Sequence, residues 1–209
     1  MNGIRITQVK LTKKGRYALF CDEGFLFSVD EETLEKFHIA ADAVLEEGQL
    51  LRVKENSDLQ KAKNKAFDYL GYRDHSRNEL VEKLMRSFDE DTANATAEKM
   101  ETLGLIDDEK YAEKLAEDMI GAKRMSKRAV AQKLWQKGID RDLTKVVLDT
   151  FDDDETQQIV ELIERKYKSR LENENGRKTV FAALQRRGFS SHDIILALRE
   201  IDCEIEEEY

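Results

Sequence analysis

Residues 176–189 read GRKTVFAALQRRGF, and fifty residues earlier the chain reads SKRAVAQKLWQKGI. Arg177 falls on Lys127, Val180 on Val130, Leu184 on Leu134, Arg187 on Lys137, Gly188 on Gly138 and Phe189 on Ile139. Fifty residues earlier again, SRNELVEKLMRSF carries Arg77, Leu80 and Leu84 in the same register, and Phe88 joins them after a one-residue deletion. A stretch that recurs at constant spacing with its apolar residues in phase has to build the same local unit each time. The apolar spacing of three and four makes that unit helical.

Reading outward from the repeat, Ser57 and Gln60, then Ser76 and Glu79, form capping-box patterns at helix starts. Helices are predicted over 57–70, 76–87 and 92–103, then 108–122, 127–137 and 142–151, and finally 156–170, 178–187 and 192–201. Residues 204–209 form an acidic tail. Val146 and Phe151 match Leu196 and Ile201 at the same offset, so the register extends into the third helix of each round. Three repeats follow, over 57–107, 108–154 and 155–209, each with enough apolar residues for a small three-helix core. The period does not fit the two-helix tetratricopeptide unit, and stacked repeats of this kind form elongated arrays. A chain without a single proline suits that reading.

Residues 1–56 differ. Segments 4–11, 16–21 and 25–29 are rich in β-branched and aromatic residues, with Gly15 and Gly24 as hairpin signals. Asp30 caps a short helix over 31–37, a second helical stretch is predicted over 40–47, and 49–54 reads as a returning strand. The fold class is therefore mainly α: three tandem three-helix repeats in an elongated array, preceded by a small β-rich N-terminal module.

Charged residues make up 38% of the 209 positions and apolar ones 40%, which points to a soluble chain with a large polar surface. No apolar run approaches membrane-spanning length, and MNGIRITQVKLTKKG lacks the apolar centre of a signal peptide. Cys21 and Cys203 stand alone, so a disulfide framework is not expected and a cytoplasmic location is. Catalytic signatures are missing from the sequence: His38, His75 and His192 are isolated, and there is no phosphate-binding glycine loop. Asp107-Asp108 precedes a helix and reads as a cap. No catalytic residue, metal ligand or cofactor is expected.

The cations say more. Residues 121–145 hold eight Lys/Arg against two Asp, and residues 165–187 hold eight against two Glu, a net of +6 in each stretch within a chain of net charge −9. Two readings stand: ordinary solvated helix faces, whose long stems also cover apolar surface, or a face for an acidic partner or phosphates. The candidate partner-binding residues are Lys123, Arg124, Lys127, Arg128, Lys133, Lys137, Arg177, Lys178, Arg186 and Arg187. Gly138 and Gly188 sit where a left-handed residue ends a helix, with Phe88, Ile139 and Phe189 turning back onto the cores. Trp135, opposite Met85 and Gln185 in the register, reads either as a core-edge residue or as a partner anchor.

SRNELVEKL, then GLIDDEKYAEKL, then KRAVAQKLWQKGI resemble the RecX regulatory proteins of bacteria, over residues 59–201. The most specific part is Leu105 to Ala112, joined in order to the repeated helix-two segments. The resemblance implies a non-enzymatic protein built as a row of three-helix repeats. It implies binding to the RecA recombinase in the groove of the RecA–DNA filament, with suppression of its ATPase and strand exchange. Filament growth in DNA repair, recombination and the SOS response would be limited in that way. On this reading the chain is a monomer whose partner is the RecA filament, with single-stranded DNA or the DNA within the filament as the further candidate. Residues 1–56 lie outside the common core of the family, so the resemblance gives them no role. A direct DNA-binding repeat protein, each unit used like a helix-turn-helix, is the competing reading; acidic residues spread through the first and third helices weigh against it. A structural adaptor that finds its partner through the β-rich module is the third.

Overall fold

The computed structural model describes residues 3–151, 154–171, 173 and 175–207, with side chains through residue 202. It divides into two units, residues 1–106 and 107–209. Of the expected acidic tail, 204–207 continue the last helix, and 208–209 lie outside the described residues.

In the first unit, strands β2 (Gln8–Leu11), β3 (Tyr17–Cys21) and β4 (Gly24–Val29) form an antiparallel sheet in that order. The segment expected as one strand over 4–11 is two. β1 (Ile4–Arg5) pairs separately with β5 (Val44–Leu45); residues 6 and 7 belong to neither strand, and the Ile6 side chain is fully buried. Asp30 caps α1 (Glu31–Lys36) by accepting from Thr33 N at 2.8 Å. Ile6, Leu19, Val29, Ile39, Leu45 and Val53 make the core of this module.

Helix α2 (Glu47–Tyr72) corrects the expectation for 40–56. Residues 40–43 are not helical, and 49–54 are helix rather than strand. The capping box is formed by Glu46 and Gln49 instead of Ser57 and Gln60. Leu50, Val53 and Ser57 recur at helical spacing and face the sheet, so QLLRVK continues the helix despite its strand-like look. Ser57 lies mid-helix, where its hydroxyl donates to the Ser28 carbonyl at 3.1 Å and accepts from Arg16 at 2.6 Å. The boundary expected at 56/57 therefore falls inside one continuous helix.

The far half of α2 packs with α3 (Arg77–Leu84) and α4 (Glu90–Thr102) around Ala62, Ala66, Leu80, Leu84, Ala97 and Met100. Ser76 and Asp89 cap α3 and α4 by accepting from Glu79 N and Thr92 N. His75 is buried at the α2–α3 turn. Its Nδ1 lies 2.8 Å from the Arg73 carbonyl, which only accepts, so Nδ1 carries the proton. Nε2 then accepts from Lys83 Nζ at 2.5 Å, with Glu79 and the Tyr69 ring nearby. Burial, and after it the Arg73 and Lys83 charges, hold this imidazole below its ordinary value of 6.5. The folded state thus resists a proton that the unfolded chain accepts, so the contribution is complete above 6.5 and is lost as pH falls below it. His38 and His192 are exposed. Urea midpoints should drop between pH 7.5 and 5.5, and His75→Gln should flatten that drop.

In the second unit, α5 (Asp108–Glu117) runs into a π-helical turn (Asp118–Ala122), followed by α6 (Lys127–Gln136) and α7 (Arg141–Leu148). Then come α8 (Glu155–Lys166), a short α9 (Lys168–Leu171), α10 (Gly176–Arg186) and α11 (Ser191–Glu207). The helices expected over 108–122 and 156–170 each change character near their ends, to a π turn and to a break at Tyr167. Each round has its own core. Leu84, Leu134 and Leu184 are all fully buried, as are Leu80, Val130 and Val180, each side chain contributing about 1.5–3 kcal/mol by burial. Ile139 and Phe189 are buried and Phe88 packs against its core from the edge, as the register requires. Thr144, Val147 and Ile194, Ala197 are the buried stripes of the third helices, whereas Val146 and Leu196, matched in register, are exposed in both rounds.

Candidate functional site

The most regular cation of the repeat closes each bundle. Arg77 Nε lies 3.3 Å from Glu101 on the third helix of its round, and its NH2 donates to Asn94. Lys127 Nζ donates to the Phe151 carbonyl just beyond α7 at 2.7 Å, and Arg177 pairs with Asp202 on α11. The same position thus ties the first turn of helix two to the end of helix three in all three rounds. Lys127 and Arg177, taken from the sequence as partner-facing candidates, are placed in these internal contacts.

Four more candidates join the second and third bundles of the second unit. Arg128 donates to the Gly188 carbonyl at 3.0 Å, and Ser126 N donates to the Arg187 carbonyl at 3.0 Å. The Arg187 guanidinium reaches back to the carbonyls of Lys123 and Arg124. Gly188, at φ +94°, lets this approach happen: a Cβ there would lie 2.4 Å from Ala129 Cβ and 2.6 Å from Ser126 Oγ. Lys127 N donates to Glu155 at 2.8 Å, and burial holds that carboxyl above its ordinary value. Lys123 pairs with Asp118 on the π turn.

Lys133, Lys178 and Arg186 are exposed and take no part in these contacts; Lys137 is half-buried. Lys133 reaches only its helix neighbour Gln136, at 3.3 Å, and neither Lys178 nor Arg186 has an ion-pair or hydrogen-bond partner among the described residues. Trp135 is 45% exposed and lies outside the second core, its ring 5.4 Å from the Arg141 guanidinium.

Arg124 and Arg187 also line a cleft of about 450 Å³ with Arg165, Lys166 and Glu161, floored by Leu162. Arg124 holds a left-handed backbone (φ 51°) two residues past the end of the π turn and comes 3.9 Å from Glu161. π turns and non-glycine left-handed residues both recur at functional sites. Arg165 and Lys166 belong to the basic stretch 165–187 but not to the partner-binding candidates, and fifty residues earlier in the register stand Leu115 and Ala116. Only the charge density of 165–187 pointed to them. Among the described residues no group of three or more His, Cys, Asp or Glu is placed to hold a metal ion, and no helix is long and apolar enough to cross a membrane.

Comparison with known proteins places these bundles in a family. The first three-helix domain of RecX matches residues 62–100, and the second matches residues 107–148. The chain is 28% identical over 205 residues to the regulatory protein RecX of Staphylococcus aureus strain Newman, covering 95% of this chain and 75% of that one. The protein of strain JH9 gives the same identity and coverage. Among solved structures, a crystal structure of regulatory protein RecX superposes with a TM-score of 0.66 at 25% identity, covering 94% of this chain and 99% of that one. RecX from Lactobacillus salivarius gives 0.59 at 27% identity, over 70% and 97%. Coverage of 94–95% cannot be reached without most of residues 1–56, so these relatives share the N-terminal module, although both matched RecX domains begin after it. With two RecX domains matched in order, and with relatives and solved structures alike along nearly its whole length, this chain is similar to the RecX family from its first bundle through its second and beyond.

Proposed function

We propose that this protein is a cytoplasmic, non-enzymatic regulator that acts as a monomer on the RecA–DNA filament, restraining its ATPase and strand exchange by occupancy. The observation that carries the reading is the ordered pair of RecX domains over residues 62–148. Tandem bundles suit a filament because, once one has engaged, each further bundle binds at high effective concentration.

RecA ATPase on single-stranded DNA, measured with this protein at substoichiometric ratio, tests the reading directly. Inhibition well beyond the molar ratio is expected; an unchanged rate with no effect on strand exchange would sink it. The exposed cations supply the variant. Lys133→Glu/Lys178→Glu/Arg186→Glu should weaken inhibition about tenfold or more, because like charges then face each other across a contact. Exposed changes of this kind alter stability by no more than about 0.5 kcal/mol each, so the melting curve should stay close to wild type. Wild-type potency in the triple variant would exclude these three side chains from the contact. Lys127 and Arg128 make poor probes, since reversing them would break the bundle contacts described above.

A further inference from the structure

The geometry points to the cleft of Arg124, Arg165, Lys166 and Arg187 as a phosphate site that takes the backbone of a single nucleic-acid strand. Four cations from three segments of the second unit converge there against a single carboxylate, Glu161, leaving a net of +3. Arg165 and Lys166 have no ion-pair or hydrogen-bond partner among the described residues. Arg187 spends its hydrogen bonds on neutral carbonyls, so its charge is not cancelled. Among the described residues only Arg124 of the four meets a carboxylate, and at 3.9 Å that pair is loose.

The helix dipole gives a partial account of Arg165 and Lys166, which lie in the last turn of α8. It asks for positive charge near that end. It does not ask for two cations to converge with two arginines from other segments on one concavity. Holding four like charges together in a folded chain raises its electrostatic energy, and a bound polyanion relieves that cost.

The lining also selects the ligand. Leu162 is buried in its own bundle core and the remaining neutral contacts are Gly121 and Ala122, so the cleft offers no pocket for an apolar side chain. An acidic protein segment would normally add apolar anchors to its charges. A phosphodiester chain needs only cations and room, and guanidinium forks match phosphate oxygens two at a time. A strand also exceeds a compact phosphate ligand in reach: Lys168 and Arg186, on the segments adjoining the cleft residues, are exposed and available to neighbouring phosphates. The inference stands apart from the filament reading, because it concerns what the cleft binds with no recombinase present.

The test is fluorescence anisotropy of a labelled oligo-dT with the full-length protein over a series of salt concentrations. Binding in the range of about 1–100 µM at physiological salt is expected. Arg165→Ala/Lys166→Ala should weaken it about tenfold or more and lower the salt slope by about 1.4, at about 0.7 per lost phosphate contact. Among the described residues neither side chain supports the fold through a polar contact, so the variant's thermal melt should match wild type. Lys13→Glu/Lys14→Glu, at an exposed hairpin turn, changes net charge more and should bind nearly as wild type. Equal loss in both variants would reduce the effect to bulk charge and overturn the site. Wild-type affinity in the double alanine variant would overturn it too, as would displacement of the oligonucleotide by a poly-Glu peptide at equal charge concentration. Displacement by micromolar inorganic tripolyphosphate would assign the cleft to a small polyphosphate and overturn the strand. Running the variants in the RecA ATPase assay separates the two readings: loss of oligo-dT binding with intact inhibition leaves the filament reading standing alone.

Discussion

Val130→Asp will unfold the second bundle. Val130 is fully buried on α6, in one cluster with Ala112, Ala116, Leu134, Ile139 and Val147. The buried side chains of that cluster are all hydrocarbon or thioether. The substituted Asp must therefore either ionise without a partner or take up a proton, and the cost exceeds about 4–5 kcal/mol in either case. Domains of this size are stable by only about 5–15 kcal/mol, so little or nothing is left. Circular dichroism at 222 nm should show reduced helicity at 25 °C, and proteolysis should cut between residues 108 and 148. Leu134→Ala, which opens a cavity in the same core, should cost about 2–5 kcal/mol and leave a folded protein with a lower midpoint. A Val130→Asp variant that melts with the wild type would show that α6 does not bury this face.

Gly188→Ala should cost nearly as much from outside any core. The left-handed backbone at φ +94° penalises a side chain by about 1–2 kcal/mol, and the clash with Ala129 and Ser126 adds about 1–3 kcal/mol for the shift it forces. Gly104 supplies the control, because its φ is +68° and nothing lies within 4 Å of a Cβ built there. Gly104→Ala should show the conformational cost alone. Urea midpoints should therefore fall further for Gly188→Ala than for Gly104→Ala. Equal falls would mean that the approach of the α10–α11 turn to α6 contributes nothing. The hydrogen bonds from Ser126 N and Arg128 depend on this approach, so the substitution also loosens the seam between the second and third bundles.

The helical rounds were legible because apolar residues at helical spacing recur at a constant offset, with a Ser or Asp at most of the helix starts. The start of α2 was not legible. Its pattern of Leu50, Leu51 and Val53 alternates enough to look like a strand, and Ser57 looks like a cap until the Ser28 carbonyl across from it is known. The cations divide in the same way. Sequence register shows that Arg77, Lys127 and Arg177 are equivalent, but it cannot say whether they face a partner or the end of their own bundle. The cleft was the least visible feature, since Arg165 and Lys166 break the repeat and become neighbours of Arg124 and Arg187 only through the fold.

Helix α2 holds 26 residues, about 39 Å at 1.5 Å per residue. Val53 near one end belongs to the core under the sheet, and Ala62 and Ala66 further along belong to the core of the first bundle. Neither core can open without fraying the rod that the other depends on, so the two behave as one cooperative foldon rather than as a module and its neighbour. Damage to the hairpin at Leu19 or Val29 is then felt at Leu84. The β-rich segment thereby sets how long the first RecX domain stays folded, whatever surface that domain presents to a partner.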